Sequence, residues 1–279
     1  MSQDVIIPNQ ERLEGLKKKI LEDGVDNLHV LSDFDRTLTK AFVDGKSTPS
    51  LISVLRDGNY LTSDYAQKAQ ALYEKYNPID INPSIPIEEK KKAMEEWWMT
   101  HFDLLIKSGL TKKDLESVVE SGKIKTREGF GEFVDFLWAH KIPLVIMSSS
   151  GLGGDCISMY FEKENRLYEN IHIISNAFEW DENGRAIRIK QPIIHNMNKD
   201  DTAIQDFPVF DIIENRKNVL LLGDRPADIE MIKGFDCKNI IKIGFLNEDI
   251  ERDLEQFKNS FDVVISGDSS LDYANKLLK

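Results

Sequence analysis

The stretch His29-Val30-Leu31-Ser32-Asp33-Phe34-Asp35-Arg36-Thr37-Leu38-Thr39 constrains the fold most tightly. A short apolar run ends there in two acids spaced two residues apart. If Leu28 to Ser32 is a buried parallel strand, its period of two sends Asp33 and Asp35 out of its carboxyl end near one point. In open α/β sheets that point is the crevice where ligands bind. Carboxylates held so close repel, so the pair needs a cation or one member keeps a proton. Asp-x-Asp by itself is also what a plain surface turn uses to cap a strand, so the other segments must select between the two uses.

Those segments alternate in type. Gln10 to Glu22 has helical spacing and stops at Asp23-Gly24. A loop over Lys40 to Pro49 follows the first strand, and from Ser50 to about Gly122 the apolar period is helical throughout. Within it, Ser63 to Tyr76 and Pro86 to Ser108 are helix-period runs, and Thr111-Lys112-Lys113-Asp114 has the form of a helix start. Beyond Arg127, helices alternate with the short apolar runs Ile142 to Met147, Ile171 to Ile174, Asn218 to Leu222, Ile240 to Gly244 and Asp262 to Ile265. Asn183-Gly184 marks a hairpin between Ala177 and Pro192. The expected fold is α/β: a doubly wound parallel sheet with an all-helical cap inserted after the first strand. Residues 1–45 and 123–279 would form the core and residues 46–122 the cap, overhanging the strand ends.

Three further points fall on the same sheet edge. Val145-Ile146-Met147 runs into Ser148-Ser149-Ser150-Gly151-Leu152-Gly153-Gly154, a strand end with hydroxyls and free amides ahead of a helix, which suits a phosphate and equally suits an ordinary Gly-rich turn. Val219-Leu220-Leu221-Leu222-Gly223-Asp224-Arg225-Pro226-Ala227-Asp228 delivers Asp224 at a strand tip and Asp228 four residues later. Oxygen ligands of this kind suit Mg2+, and Asp228 either supports that site, orients a water or Lys199, or simply charges a helix start. Lys199 offers one fixed ammonium to offset several carboxylates around a phosphoryl group.

Charge narrows the partners. A formal net charge of −12 over 279 residues disfavours polymeric nucleic acid and anionic membrane surfaces. A small anionic substrate remains compatible where cations and amides line its pocket. Cys156 and Cys237 lie far apart and outside metal-ligand spacing, as expected for core residues in a reducing compartment. With no leader-like start and no apolar run of membrane length, the expected location is the cytoplasm and the expected form a monomer or weak oligomer.

Taken in order, Asp-x-Asp-x-Thr, a strand-end Ser, an isolated Lys and Gly-Asp-x-x-x-Asp resemble the four motifs of the haloacid dehalogenase superfamily of phosphatases. A narrower resemblance spans residue 28 onward. Ser32 to Thr39, Glu96-Trp97, Ser175-Asn176, His195-Asn196-Met197-Asn198-Lys199-Asp200, Leu221 to Asp224 and Ile241 to Asn247 together are similar to the pyrimidine 5'-nucleotidase family, the cytosolic type III nucleotidases. That resemblance implies a Mg2+-dependent enzyme cleaving nucleoside 5'-monophosphates through an aspartyl phosphate, with phosphoryl transfer to a nucleoside as a related activity. Asp33 would be the nucleophile and Asp35 the general acid and base. Asp33, the carbonyl of Asp35 and Asp224 would bind Mg2+, and Ser148 or Ser149 with Lys199 would hold the phosphate. Glu96 would contact the nucleobase, and Trp97 or Trp98 would stack on it. The sequence departs from the family pattern at Ser148-Ser149-Ser150 and at Arg225-Pro226. Rival readings are a phosphatase for another small ester, such as phosphoserine or a sugar phosphate, and a non-catalytic Mg2+ and phosphoryl-acceptor module.

Overall fold

The computed structural model describes residues 5–82, 84–199, 207–233 and 236–279. Along the chain these form β1 (Val5–Ile6), α1 (Gln10–Asp23), β2 (Leu28–Ser32), β3 (Phe42–Val43), β4 (Lys46–Ser47), α2 (Leu51–Asp57), α3 (Tyr65–Ile81), α4 (Ile87–Lys107) and α5 (Lys112–Glu120). Then come α6 (Phe130–Ala139), β5 (Leu144–Ser148), α7 (Gly153–Lys163), β6 (Ile171–Ser175), β7 (Phe178–Trp180), β8 (Ala186–Ile189), α8 (Val209–Ile213), β9 (Asn218–Gly223), β10 (Asn239–Leu246), α9 (Ile250–Ser260), β11 (Val263–Ser266) and α10 (Asp272–Leu278).

Seven strands make one sheet in the order β1-β11-β10-β9-β2-β5-β6. All neighbours are parallel except β1, which pairs antiparallel with β11 at the edge. Burial on both faces explains the unbroken apolar strands. Val30, Ile146, Leu220 and Leu222 pack on one side, while Leu31, Val145, Val219 and Leu221 pack on the other. From β2 the chain moves outward to β5 and β6 on one side and to β9, β10 and β11 on the other. The topological switch point therefore lies at the carboxyl end of β2, with β9 and β5 as its neighbours.

Helices α2 to α5 occupy the segment between the first core strand and the rest of the sheet. Met94, Trp98, His101, Phe102 and Leu105 recur at helical spacing on α4 and face inward. Thr111 caps α5 in a reciprocal capping box with Asp114, as the Thr-x-x-Asp spacing predicts. The outgoing and returning segments run side by side where they leave the sheet: Thr39 bridges Thr126, Lys40 N donates to Lys125 O at 2.8 Å, and Arg127 N donates to Leu38 O at 2.9 Å.

Two local features depart from the sequence reading. The expected loop over Lys40 to Pro49 contains the β3–β4 ribbon, because Asp44 (φ 51) and Gly45 (φ 73) supply the two positive φ angles of a tight hairpin turn. Helix α3 runs on through Pro78 to Ile81 instead of ending near Tyr76, which carries Asp80 toward the strand ends. The helix that follows the Gly223-Asp224 turn, Pro226–Ile232, is present and is wound as a 3-10 helix.

Candidate active site

Adjacent strand ends place the acids together. Register sets Ser32 of β2 beside Leu222 of β9 and Ile146 of β5, and Asp33 N donates to Leu222 O at 3.1 Å. Phe34, fully buried against Tyr160 and Phe161, anchors the turn from inside, so the residues on either side of it, Asp33 and Asp35, both reach the cavity. Carboxylate oxygens of Asp33, Asp224 and Asp228 all lie within 4.8 Å of one another. Lys199 Nζ is paired with Asp33 and lies 3.3 Å from Asp228 Oδ1.

Asp228 supports the others by a second set of bonds. Its Oδ2 accepts the amides of Asp224 at 3.1 Å and Arg225 at 3.0 Å, locking the turn after β9 while Oδ1 faces the ammonium. Asn176 joins the remaining two motifs. Its Nδ2 donates to Ser150 O at 3.1 Å and Ile194 O at 2.9 Å, and its Oδ1 accepts Ile194 N–H at 2.9 Å. The turn carrying Lys199 is thus held against the serine turn. Ser148 and Ser149 both line the cavity; the Ser148 hydroxyl oxygen accepts Ser150 N–H at 3.2 Å and keeps its own proton to donate.

Electrostatics follow from packing several acids together where the strand ends meet the cavity. Burial pushes the Asp35 carboxyl up to about 7, and the charge of Asp33 adds to that. Burial also raises Asp224, to about 8, with Asp228 and Asp33 reinforcing the shift. Asp33 is raised by burial, with Lys199 acting against it. For Lys199, burial favours the neutral amine, but Asp33 and Asp228 outweigh it and hold the pKa above its ordinary value. An oxygen-only cluster whose members resist ionising together fits a hard divalent cation.

A cavity of about 1010 Å³ extends from these acids into the helical layer. The helical layer contributes Tyr73, Trp97, Trp98 and His101 to its lining, and the Trp98 ring sits so close to Gly151 that a Cβ there would lie 2.8 Å from it. Arg225 lines the cavity as well, near Asp224, Asp228 and Asp33.

One expected site residue is placed elsewhere. Among the described residues Glu96 is not one that lines the cavity; its carboxylate accepts the Tyr76 hydroxyl at 2.5 Å and Lys75 Nζ at 3.1 Å. At about 100° per residue, Glu96 falls well round α4 from the Met94–Trp98–His101 stripe that faces inward. Asp80 takes a place that sequence reasoning missed. It lines the cavity and its Oδ1 accepts Asn196 Nδ2 at 3.0 Å. Nothing in Pro78-Ile79-Asp80 signals this beyond the position of the acid at a helix end. Asp200, the last residue of its motif, lies outside the described residues.

Clustered acids at the carboxyl ends of parallel strands, an ammonium among them and a helical layer above are the fold and site of haloacid dehalogenase-class phosphatases. Substrate-bound phosphoserine phosphatase shares this fold, with a TM-score of 0.51 at 16% identity over 90% of this chain and 98% of its own. The chain belongs to the pyrimidine 5'-nucleotidase family: the model described as "Pyrimidine 5'-nucleotidase (UMPH-1)" matches residues 36–279. A 7-methylguanosine phosphate-specific 5'-nucleotidase of Gallus gallus is 32% identical over 276 residues, 99% of this chain and 95% of that protein. The crystal structure of cytosolic 5'-nucleotidase IIIB bound to cytidine aligns with a TM-score of 0.88 at 26% identity, covering 99% of this chain and 93% of its own.

Proposed function

We propose that this chain is a Mg2+-dependent 5'-nucleotidase whose core, residues 1–45 and 123–279, carries out phosphoryl transfer beneath a base-selecting cap, residues 46–122. The observation that carries this reading is the convergence of Asp33, Asp35, Asp224, Asp228 and Lys199 in one cavity that aromatic side chains of the helical layer also line. Asp33 and Asp224, with the main-chain carbonyl of Asp35, would hold Mg2+, which supplies positive charge to the phosphoryl oxygens and relieves the repulsion among the acids.

An Asp33 oxygen attacks phosphorus and the bond to the 5'-oxygen breaks. A carboxyl raised to about 7 keeps its proton in about half of the molecules in neutral solution, and from that form Asp35 donates its proton to the departing oxygen. The same carboxylate then takes a proton from the water that attacks the aspartyl phosphate, releasing inorganic phosphate and restoring Asp33. Lys199 exchanges Asp33 for the phosphoryl oxygens as substrate binds, and Ser148 or Ser149 donates to them. Asp35 also argues against an idle phosphoryl acceptor, which has no use for a proton-carrying acid beside the nucleophile.

Tyr73, Trp97 and Trp98 give the cavity faces on which a base stacks, and a 7-methylated guanine, which carries positive charge, gains further from a Trp face. The named relatives favour nucleotides over phosphoserine or a sugar phosphate as the substrate class, and a cytosolic setting agrees with the name of cytosolic 5'-nucleotidase IIIB. Among the described residues no helix is long and apolar enough to cross a membrane.

A phosphomonoester panel including 7-methylguanosine, cytidine, phosphoserine and sugar monophosphates, with and without Mg2+, tests the reading. Nucleotides are expected to lead the ranking in a Mg2+-dependent assay. In parallel, Asp33→Asn is expected to lose at least about 1,000-fold in kcat with its melting temperature intact. A folded Asp33→Asn variant that still turns over would remove the covalent mechanism.

A further inference from the structure

We propose that Arg127 is a positioning residue for phosphoryl transfer, holding the loop that carries Asp33 and Asp35 and joining it to the two segments that lead into the helical layer. The proposal rests on the catalytic reading above, because it concerns where that loop places its acids.

Arg127 stands on the returning segment, one residue beyond the Thr39–Thr126 bridge, with its side chain fully buried. Each of its five N–H groups is used. Nε donates to Thr37 O at 2.7 Å; Nη2 donates to Arg36 O at 2.5 Å and Asn247 Oδ1 at 2.6 Å; Nη1 donates to Ser269 O at 2.6 Å and Asp268 Oδ1 at 3.1 Å. The guanidinium also lies 4.3 Å from the centre of the Phe245 ring. A planar fork with five donors satisfies such a set, and a lysine with three does not.

What those bonds grip is specific. Arg36 sits in the left-handed region at φ 61, a conformation that a residue with a side chain holds only when its surroundings fix it. Its carbonyl is gripped twice, by Arg127 Nη2 and by Asn247 Nδ2 at 3.0 Å. Arg36 directly follows Asp35, so releasing its carbonyl changes the turn on which Asp35 stands. Asp268 carries the same grip to the outgoing segment, since its carboxylate also accepts the amides of Ala41 at 2.6 Å and Phe42 at 3.0 Å. One guanidinium thus connects the acid-bearing loop to both segments that tether the helical layer.

The test measures kcat and KM of Arg127→Lys for cytidine 5'-monophosphate and for p-nitrophenyl phosphate in Mg2+, beside its melting temperature. Because displacement of reacting groups by about 1 Å costs on the order of 100-fold, kcat is expected to fall by that order for both esters with KM within about threefold. Asn247→Asp keeps an acceptor for Arg127 and replaces the donor to Arg36 O with a carboxylate oxygen that the carbonyl repels; its kcat is expected to fall on the order of tenfold. The double variant is expected to lose less than the product of the single losses, because both side chains act on one carbonyl. Generic loss of stability would instead give losses that multiply. A folded Arg127→Lys with kcat within about twofold of wild type, or multiplicative losses in the cycle, would overturn the proposal. If Arg127→Lys does not fold, Asn247→Asp settles the matter alone, and an unchanged kcat sinks it. A wild-type protein that hydrolyses p-nitrophenyl phosphate but no nucleotide defeats the nucleotidase reading and leaves the Arg127 comparison intact.

Discussion

Gly223 governs how closely Asp228 approaches the end of β9. A Cβ at Gly223 would lie 2.6 Å from the Asp228 Cβ and 2.8 Å from its Oδ2, the oxygen that accepts the Asp224 and Arg225 amides. An added methyl there must displace the carboxylate that also steadies Lys199. Gly223→Ala is therefore expected to cost about 1–3 kcal/mol by thermal denaturation, as overpacking does. Its kcat should fall while an alanine at the open position Gly15, with nothing within 4 Å, leaves activity alone. Equal kcat in the two variants would show that Asp228 placement is not critical.

At the scale of elements, α3 and α4 carry the part of the site that sequence conveyed least. Strands were legible because burial on both faces writes a continuous apolar run, and Asp33, Asp224 and Ser148 were legible because each sits where such a run stops. Lys199 follows no strand; the need for one cation among several acids and its order among the other motifs singled it out, and the fold supplies the partners. Glu96 illustrates the limit. An acid beside Trp97 matched a family pattern, but the rotation of α4 turns it toward Lys75 and Tyr76, and rotation is set by packing against α3 rather than by neighbours in sequence. Asp80 became visible only because α3 continues through Pro78. Glu96→Ala is accordingly expected to leave the ranking of nucleotides by kcat/KM unchanged, while Asp80→Asn, at a half-buried carboxylate lining the cavity, should alter it by about tenfold, the scale of one altered polar contact to the substrate. A competition assay with two nucleotides distinguishes these, and the opposite pattern would mean that the helix turns on binding.

For the whole molecule, the acids tie folding to pH and to the cation. Asp35 at about 7 and Asp224 at about 8 lie above their ordinary carboxylate values, so between those limits the folded chain binds more protons than the unfolded one. Stability without a divalent cation is then lost as pH rises from the ordinary carboxylate range toward about 8. Mg2+, by binding the folded state, should raise the melting temperature more at pH 8 than at pH 6. Calorimetry at both values checks this, and an equal gain would separate Mg2+ from the titrating acids. The contact between Lys199 and Asp33 has a consequence of its own. On the proposed mechanism, the nucleophile Asp33 is sheathed at rest by the same cation that must later grasp the incoming ester, so any oxyanion strong enough to draw the ammonium away unsheathes it. Liberated orthophosphate qualifies as readily as fresh substrate does, and the enzyme's restraint on its own product is thereby built into a single pair of side chains.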